Sequence, residues 1–390
     1  MNKGKSVFAQ LMEFLPAYEF QKCVEKYSGE YKVKDFSCMD QFLTMAFAQL
    51  TYRESLRDTV ICLDAAAEKL YHMGIRKKPT RNNLSHANSV RDWRIYQEFA
   101  LILVNKVIRL SEKLPLSSEC DLMEAVFALD STIIDICLSL FPRAKFRKRK
   151  GAVKLHTLLD VRSAMPQVIY ITDGKTHDVC ILDQLQLIAA AFYVMDRAYV
   201  DFGRLYRFCG AMAFYVTRAK RNFKYRILES FKADKSTGVL ADQKIVLTGY
   251  AVKKKYPIPL RRIAFVDLET RKRFVFLTNN FQLPATTIAF LYKCRWRIES
   301  FFRWIKQNLR IKSFFGTSSN AVKTQIWIAI AVYAMVALAK IQLGLTPSPY
   351  AIFQILSVVI FEKHPITQIL TEIDRKNDKS DLCNQLVLFN

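Results

Sequence analysis

The feature that most limits how this chain can fold is a series of short apolar segments between residues 119 and 219, rich in β-branched and aromatic residues. Their lengths and compositions are typical of buried strands. The segments are Ala125–Asp130, Ser131–Leu140, Val153–Val161, Pro166–Thr172, Ala191–Asp196 and 213–218. Helical patterns at about Val179–Ala190 and 201–209 separate the last three segments. Several strands followed by alternating helices and strands predict a mixed α/β sheet.

The regions at the two ends of the chain have helical patterns instead. In residues 1–118, apolar residues recur at helical spacing in Phe36–Leu50 and in Trp93–Leu110. This part is predicted to be a helical, basic domain that suits duplex DNA, although the pattern does not locate a recognition helix. Residues 321–390 are predicted to be helical again.

A β-rich insertion is predicted between the sheet and a long helix. Residues 220–283 are rich in Lys and Arg, and Arg262–Asp267 and Arg273–Thr278 are placed to form a hairpin. Pro284 then opens a helical pattern that runs to about Leu309. The predicted domains are residues 1–118, residues 119–219 together with 284–320, residues 220–283, and residues 321–390.

The charge of the chain points to a polyanionic partner. The sequence has 59 Lys and Arg against 35 Asp and Glu, a formal net charge of +24. The excess recurs in the segments Arg143–Lys154, Arg218–Arg226, Lys253–Arg262 and Arg271–Arg273. Nucleic acid is the expected partner, bound largely through its phosphates. A ribosomal or nonspecific basic protein is the alternative. Such proteins are usually smaller and less apolar than this chain, which has 390 residues and 51% apolar composition.

The cysteines and the apolar runs favour a cytoplasmic protein. Nine cysteines occur singly and without a C-x-x-C pair, which argues against a disulfide framework and a structural zinc site. The N-terminal segment lacks the apolar core of a signal peptide. Ile326–Ala339, the most apolar run, has 14 residues and is shorter than the roughly 20 of a bilayer span. We expect a buried helix there and no membrane partner.

Two aspartates end predicted strands of the sheet. Asp130 closes the first strand and Asp196 closes a later one. Carboxylates at strand ends face the crevice where α/β sheets usually bind ligands. A single aspartate at such a position is usually a turn or cap residue, but two that follow buried strands favour a shared site. The competing acids are Asp135, Asp160, Asp173, Asp178 and Asp201.

The long predicted helix carries a third acid among basic residues. One face of it carries Tyr292, Arg295, Glu299 and Lys306. With about 100° of rotation per residue, these four lie within about 60° of one another. A charged face of this kind is often only a solvated stripe of salt bridges. Trp296 and Trp304 are predicted to pack this helix against the rest of the protein.

Several motifs in this order resemble those of the IS4 family of bacterial insertion-sequence transposases. The spacing Y-x2-R-x3-E-x6-K on the long helix matches the family signature at all four positions. FALDSTIID resembles the first acidic motif, and VMDRAY resembles the second, with Ala198 where the family usually has Gly. KLHTLLDV and TDGKTHD resemble segments that accompany them. The resemblance covers nearly the whole chain. The alanine at position 198, in place of the usual glycine, would affect only the conformation of the loop beside Asp196.

The resemblance implies an α/β fold with a ribonuclease H-like mixed-sheet catalytic core, a β-rich insertion, a helical N-terminal domain and a helical C-terminal part. The catalytic acids would be Asp130, Asp196 and Glu299, binding two Mg²⁺ or Mn²⁺ ions through carboxylate oxygens, which hard cations prefer. Water would nick the DNA at the end of the element, and the freed 3′-OH would later join target DNA. The family implies cut-and-paste transposition with a hairpin step.

The same resemblance implies the partners. The DNA would be double-stranded, both the terminal inverted repeats of the element and the target. Backbone phosphates near the cleaved end would be contacted by Tyr292, Arg295 and Lys306. A homodimer would bridge two DNA ends, in the bacterial cytoplasm and associated with the nucleoid. In relatives the insertion stacks a flipped base on an aromatic ring, and the sequence does not choose among the Phe and Tyr residues here.

Two other functions stay open at this point. One is a ribonuclease H-like DNA nuclease that does not join strands. The other is an inactive DNA-binding inhibitor of transposition, which the loss of one acid would favour, although all three acids are present. His156 and His177 are expected to have structural or DNA-contact roles, because oxygen ligands suit Mg²⁺ better than imidazole does.

Overall fold

The computed structural model describes most of the chain. The described residues are 4–114, 124–135, 152–220, 223–308, 315–316 and 318–370. They divide into two compact units. The helical unit contains residues up to Ser111 and from Arg303 onward. The sheet unit contains Glu112–Ile134 and Ala152–Phe302.

The bounds of the elements in the described residues are as follows. The α-helices are α1 (Val7–Met12), α2 (Ala17–Lys26), α3 (Cys38–Leu50), α4 (Leu56–Ala65), α5 (Arg81–Val90), α6 (Arg94–Glu112), α7 (Phe202–Gly210), α8 (Tyr250–Lys255), α9 (Ala285–Cys294), α10 (Trp296–Asn308), α11 (Ser319–Gln342) and α12 (Pro349–Val359). The strands are β1 (Val126–Asp135), β2 (Ala152–Asp160), β3 (Met165–Asp173), β4 (Phe192–Met195), β5 (Phe214–Arg218), β6 (Tyr225–Phe231), β7 (Val239–Leu247), β8 (Leu260–Val266) and β9 (Arg273–Thr278).

The helical unit is built around the apolar helix α11. This helix is buried over nearly all of its length and packs against α3, α5 and α12. It is long and apolar enough to cross a membrane by composition alone, but 89% of its most apolar window is buried inside the structure. The buried helix predicted at Ile326–Ala339 is therefore confirmed.

The N-terminal helices also follow the sequence pattern. α3 and α6 confirm the helices predicted at Phe36–Leu50 and Trp93–Leu110. At the start of α3, Ser37 and Asp40 form a capping box that satisfies two otherwise unpaired backbone amides. The part of the predicted C-terminal helical region beyond residue 370 lies outside the described residues.

The sheet unit contains one mixed sheet, which in the described part of the chain has nine strands in the order β3-β2-β1-β4-β5-β9-β8-β7-β6. β1, β4 and β5 are parallel, whereas β2 and β3 form an antiparallel pair at one edge. The order 3-2-1-4-5, with parallel strands in the middle and an antiparallel edge, is that of a ribonuclease H-like core. β4 is buried at every position, as a central parallel strand requires.

The first strand is longer than predicted. The sequence predicted one strand ending at Asp130 and a second from Ser131 to Leu140, but β1 runs without interruption from Val126 to Asp135. Residues 136–140 lie outside the described part of the chain. Asp130 nevertheless lies at the end of the segment of β1 that pairs with β4, because that pairing stops one residue earlier, at Leu129.

The strands of residues 220–283 extend the same sheet. β9 pairs with β5, and β8, β7 and β6 follow in antiparallel order. The hairpin predicted from Arg262–Asp267 and Arg273–Thr278 is confirmed as β8 and β9. The sequence missed β6, since most of its residues are exposed at the sheet edge and show no apolar alternation.

Two predicted helices differ from those observed. In place of a helix at Val179–Ala190 there is a 3₁₀ helix over Asp178–Gln184, followed by irregular chain and a turn at residues 189–190. The long helix predicted from Pro284 is two helices, α9 and α10, with a turn at Arg295 between them. The backbone at Arg295 stays in the right-handed helical region, with φ −55° and ψ −25°. These angles are those of a 3₁₀ turn, which is wound more tightly than an α-helix.

Candidate active site

The register of two parallel strands brings two aspartates together. β1 and β4 pair from Val126 with Phe192 to Leu129 with Met195. Asp130 and Asp196 are the next residue on each strand. Because neighbouring strands lie about 4.8 Å apart, the two carboxylates occur side by side at the carboxyl ends of these strands.

The turn between α9 and α10 places Arg295 against this pair. Its backbone amide donates to the carbonyl of Tyr292 at 3.2 Å, and its carbonyl accepts from the amide of Ile298 at 3.1 Å. One guanidinium nitrogen, Nη1, donates to Oδ2 of Asp130 at 2.8 Å. The other, Nη2, donates to Oε1 of Glu299 at 2.5 Å. Arg295 therefore links a carboxylate of the sheet to one on the helix.

Tyr292 makes the corresponding link to the second aspartate. Its hydroxyl donates to Oδ1 of Asp196 at 3.3 Å. The ring is buried and packs against Phe276, with ring centroids 4.9 Å apart. Arg218, which the sequence indicated only as part of the basic segment Arg218–Arg226, interacts with the same hydroxyl. The hydroxyl of Tyr292 therefore lies between a carboxylate and a guanidinium.

The electrostatics at Asp130 reflect a crowded, largely buried cluster. Burial raises the pKa of Asp130 to about 6, and the charges of Asp196 and Glu299 act in the same direction. The backbone amide of Ser131, 2.8 Å from Oδ1, and the Arg295 guanidinium lower the same pKa. The protonation of Asp130 therefore depends on the charges of Asp196, Glu299 and Arg295.

A second polar cluster, which we call the Asp178 cluster, adjoins Asp130. Oδ1 of Asp178 accepts from the hydroxyl of Ser131 at 2.5 Å and forms an ion pair with Nζ of Lys154 at 2.7 Å. His156 lies beside them, with Nδ1 3.7 Å from the same oxygen and Nε2 2.9 Å from the hydroxyl of Thr172. Burial lowers the pKa of His156, which therefore favours its neutral form. From the sequence, Asp178 was only a competing acid.

Other predicted site residues lie apart from these contacts. Lys306 is exposed, two turns beyond Glu299 along α10. Trp304 is buried and packs on Tyr333 and Phe353, with ring centroids 4.3 Å and 5.0 Å away. Trp296 does not pack the helix as predicted, because 58% of it is exposed. Trp296 is the first residue of α10, directly after the turn at Arg295, whereas the prediction assumed one continuous helix through both residues.

The carboxylates are ligands of the type that a divalent cation prefers, but Arg295 lies between two of them. Across the described ranges, no three or more His, Cys, Asp or Glu side chains form a group that could hold a metal ion as they stand. The guanidinium binds one oxygen each of Asp130 and Glu299. The donor set therefore fits a hard cation in charge and ligand type, and such a cation would compete with Arg295 for the same oxygens.

Comparison with known protein families decides where the chain belongs. The transposase DDE domain family matches residues 121–335, which contain the strands β1–β9 and all three acids. This chain belongs to the DDE transposases. Residues 3–76 of this transposase also match a domain of unknown function, DUF4372.

Curated relatives of the transposase come from several bacteria, and two of the three described below are named for insertion sequence elements. A Sinorhizobium fredii protein named as transposase y4zB is 31% identical over 75% of this chain and 80% of its own length. A Geobacillus stearothermophilus protein, named as the transposase of insertion sequence element IS5377, is 31% identical over 53% of this chain and 54% of its own. A Synechocystis protein, named as the transposase of IS4SA, is 26% identical over 67% of this chain and 72% of its own.

The IS4-type resemblance is confirmed by these matches, and with it the function class. A DDE transposase is a metal-dependent enzyme that cleaves DNA and transfers DNA strands. DDE domains generally depend on a divalent metal. The assignment of individual residues to the reaction stays a prediction at this point.

Proposed function

We propose that the carboxylates of Asp130, Asp196 and Glu299 hold two Mg²⁺ or Mn²⁺ ions and catalyse DNA cleavage and strand transfer at insertion-sequence ends. The observation that carries the proposal is the linkage of all three acids through Arg295 and Tyr292 at the carboxyl ends of β1 and β4. Two carboxylates on one guanidinium, with a third beside them on the hydroxyl of Tyr292, form an anionic site that already accommodates positive charge.

Ions bound there supply Lewis-acid activation of the attacking oxygen and stabilisation of the leaving oxygen. The protein's own residues prepare that chemistry. Asp130 and Asp196 are fixed by the sheet register, whereas Glu299 approaches from a helix. The guanidinium of Arg295, when it leaves the carboxylates, has the planar two-nitrogen geometry that suits a phosphate.

The DNA contacts in this proposal follow the same helices. Arg295 and Tyr292 would bind the phosphates next to the cleaved bond, and Lys306 would bind a phosphate further along α10 as a point charge. The substrate would be double-stranded DNA, both the terminal inverted repeats and the target, with a homodimer bridging two ends. We propose cut-and-paste transposition with a hairpin step, in the bacterial cytoplasm at the nucleoid.

The domain roles are proposed on the same basis. Residues 1–118 would bind duplex DNA, 119–219 with 284–320 would form the catalytic core, 220–283 would be the β-rich insertion and 321–390 the helical C-terminal region. The packing of α11 on α3 and α5 supports a structural role for the C-terminal helices, because α11 forms the core of the helical unit.

A cleavage and joining assay tests the proposal. The purified chain is incubated with Mg²⁺ and a supercoiled plasmid that carries the DNA flanking the gene on both sides, together with a target plasmid. The proposal predicts excised linear DNA, hairpin ends on a denaturing gel and joined products. Cleavage without joined products would instead support a nuclease, and neither product with intact DNA binding would support an inhibitor.

A further inference from the structure

One side of helix α5 is an exposed row of short polar side chains that the proposed chemistry does not use. We call it the α5 face, and its members are Asn82, Ser85, His86 and Ser89. With about 100° of rotation per residue, these four lie within about 100° of one another around the helix. The hydroxyl of Ser89 donates to the carbonyl of Ser85 at 3.0 Å, which leaves its lone pairs to accept a further hydrogen bond. The α5 face therefore offers both donors and acceptors to a partner.

The opposite side of α5 is fixed within the helical unit. Leu84, Ala87 and Asn88 are buried, and the helix packs against α11 and α4. Oδ1 of Asn88 accepts from Nε2 of Gln41 at 2.7 Å. The hydroxyl of Thr80 caps the helix by accepting from a backbone amide of the first turn at 3.1 Å. The α5 face is therefore held on a packed support, which precise recognition of another molecule requires.

Helix stability does not explain the residues of the α5 face. Asparagine, serine and histidine are weaker helix formers than alanine, because their side chains compete for backbone groups or lose rotamer freedom. An exposed helix face that serves only stability is better built from Lys, Glu, Arg, Gln or Ala, often with ion pairs four residues apart. None of those residues occurs on the α5 face. Residues that weaken local structure without a packing gain are expected at functional surfaces.

The chain leading into and through α5 is strongly basic. Residues 69–91 contain six Lys or Arg and no Asp or Glu. Four of the six lie at the start of α5 and are exposed, and they are Arg76, Lys77, Lys78 and Arg81. In the part of the chain that the structure describes, the two arginines form no ion pair with an acid, and the two lysines form only partly exposed pairs with Asp35 and Asp64. Such pairs are weak, so all four cations can bind a polyanion.

A polar helix face beside cations fits the major groove of duplex DNA. That groove admits an α-helix, and its donors, acceptors and thymine methyl groups distinguish the four base pairs. Asparagine suits adenine and serine suits any base, while Val90, which is 66% exposed at the end of α5, suits a thymine methyl group. Duplex RNA fits less well, because side chains cannot enter its narrow major groove.

We propose that α5 is the helix that recognises the base sequence of the terminal repeat. The α5 face lies in the major groove in this arrangement, and Arg76 and Arg81 bind the phosphates that flank it. The sequence specificity of the transposase then resides in the helical unit, whereas the acids of the sheet unit act on any phosphodiester presented to them. The inference rests on the proposed binding of duplex DNA by residues 1–118.

Binding measured without cleavage tests the inference. The full chain is titrated in EDTA against a fluorescein-labelled duplex of the inverted repeat that flanks the gene, and against a duplex of the same composition in scrambled order. The triple variant Asn82→Ala, Ser85→Ala and Ser89→Ala should lose at least tenfold of its preference for the repeat. Its affinity for the scrambled duplex should change less than twofold, because no charge is removed. Since alanine favours a helix, this variant should unfold at the same or a higher temperature than the unmodified chain.

Two further variants serve as controls. Asn105→Ala replaces an exposed asparagine on α6 and should keep the full preference for the repeat. Arg76→Gln with Arg81→Gln should weaken both duplexes equally and lower the salt slope by about 1.8, at about 0.9 for each phosphate that is no longer neutralised. Full preference in the folded triple variant, or equal binding of the two duplexes by the unmodified chain, would overturn the inference.

These outcomes separate the inference from the proposed function. If the chain cleaves and joins DNA while the triple variant still prefers the repeat, the inference about α5 alone fails. If preference for the repeat depends on the α5 face but no DNA is cleaved with Mg²⁺, the proposed chemistry alone fails.

Discussion

Nη1 of Arg295 lies 2.8 Å from Oδ2 of Asp130, so that a residue of the turn between α9 and α10 forms an ion pair with an aspartate of the sheet. The same guanidinium binds Glu299 at 2.5 Å. Without this cation, the two carboxylates would repel each other in a largely buried site. Arg295 therefore acts as an internal counter-ion for the acids in the structure.

Replacing Arg295 with Gln should strengthen divalent-metal binding in the absence of DNA, by about tenfold, because the competing positive charge is gone. The same change should lower the free energy of unfolding of the metal-free protein by about 1–3 kcal/mol, since two partly buried carboxylates lose their partner. Titration calorimetry with Mn²⁺ and urea unfolding with and without Mn²⁺ measure both effects.

Arg204→Gln is the matched control for that variant. Arg204 forms a two-nitrogen ion pair with Asp183, and its contacts do not include the three acids. Its replacement should leave Mn²⁺ affinity unchanged. If Arg295→Gln binds Mn²⁺ no more tightly than Arg204→Gln, the guanidinium does not compete with metal for these oxygens.

The Asp178 cluster should be important for stability. Asp178→Asn removes the ionic partner of Lys154, whose side chain is only 10% exposed, and leaves a buried ammonium uncompensated. We expect a loss of about 2–4 kcal/mol in the free energy of unfolding. Asp183→Asn breaks a more exposed pair and should cost less than about 1 kcal/mol. Urea unfolding of both variants measures the difference, and equal losses would contradict the role given to the cluster.

Trp296 and Trp304 lie on the same helix in opposite environments. Trp304→Ala should reduce the free energy of unfolding by about 3–5 kcal/mol, because it opens a cavity next to Tyr333 and Phe353. Trp296→Ala should change it by less than about 0.5 kcal/mol, since the side chain is mostly exposed. Denaturant unfolding followed by circular dichroism compares the two, and a large loss for Trp296→Ala would show that this side chain is packed rather than exposed.

Gly238 occupies a turn that accepts no side chain. Its φ is +88°, and an added Cβ would clash with the backbone oxygen of Val266 and touch the ring of Phe265. Gly238→Ala should therefore destabilise the sheet unit by about 1–3 kcal/mol. Gly210→Ala is the control, because nothing lies within 4 Å of its Cβ position and alanine favours the helix. It should leave stability unchanged or raise it slightly in thermal unfolding.

The residue patterns predicted the mixed α/β sheet because its signals are local, whereas the ribonuclease H-like core was implied by the family resemblance. β4 is a continuous apolar run, and Asp196 follows it directly, so the strand and its end could be read from composition. The helical spacing likewise placed Tyr292, Arg295 and Glu299 on one side, where the structure connects them to the aspartates.

The remaining features depend on contacts between residues far apart in the chain. Lys154 meets Asp178 only because β2 and the 3₁₀ helix come together, and no spacing rule encodes that pair. The edge strand β6 lacks a buried face and therefore lacks an apolar pattern. The turn at Arg295 lies in a sequence with ordinary helix formers, so the pattern predicted one helix through it.

The assignment of the three acids is tested most directly by Glu299→Gln in a DNA nicking assay with Mg²⁺, using the DNA that flanks the gene. Glu269→Gln, at an exposed glutamate, is the control. Glu299→Gln should reduce nicking by about a hundredfold or more while binding the same DNA with unchanged affinity, and Glu269→Gln should nick normally. Nicking by Glu299→Gln at the rate of the control would contradict the proposal that Asp130, Asp196 and Glu299 form the catalytic metal site.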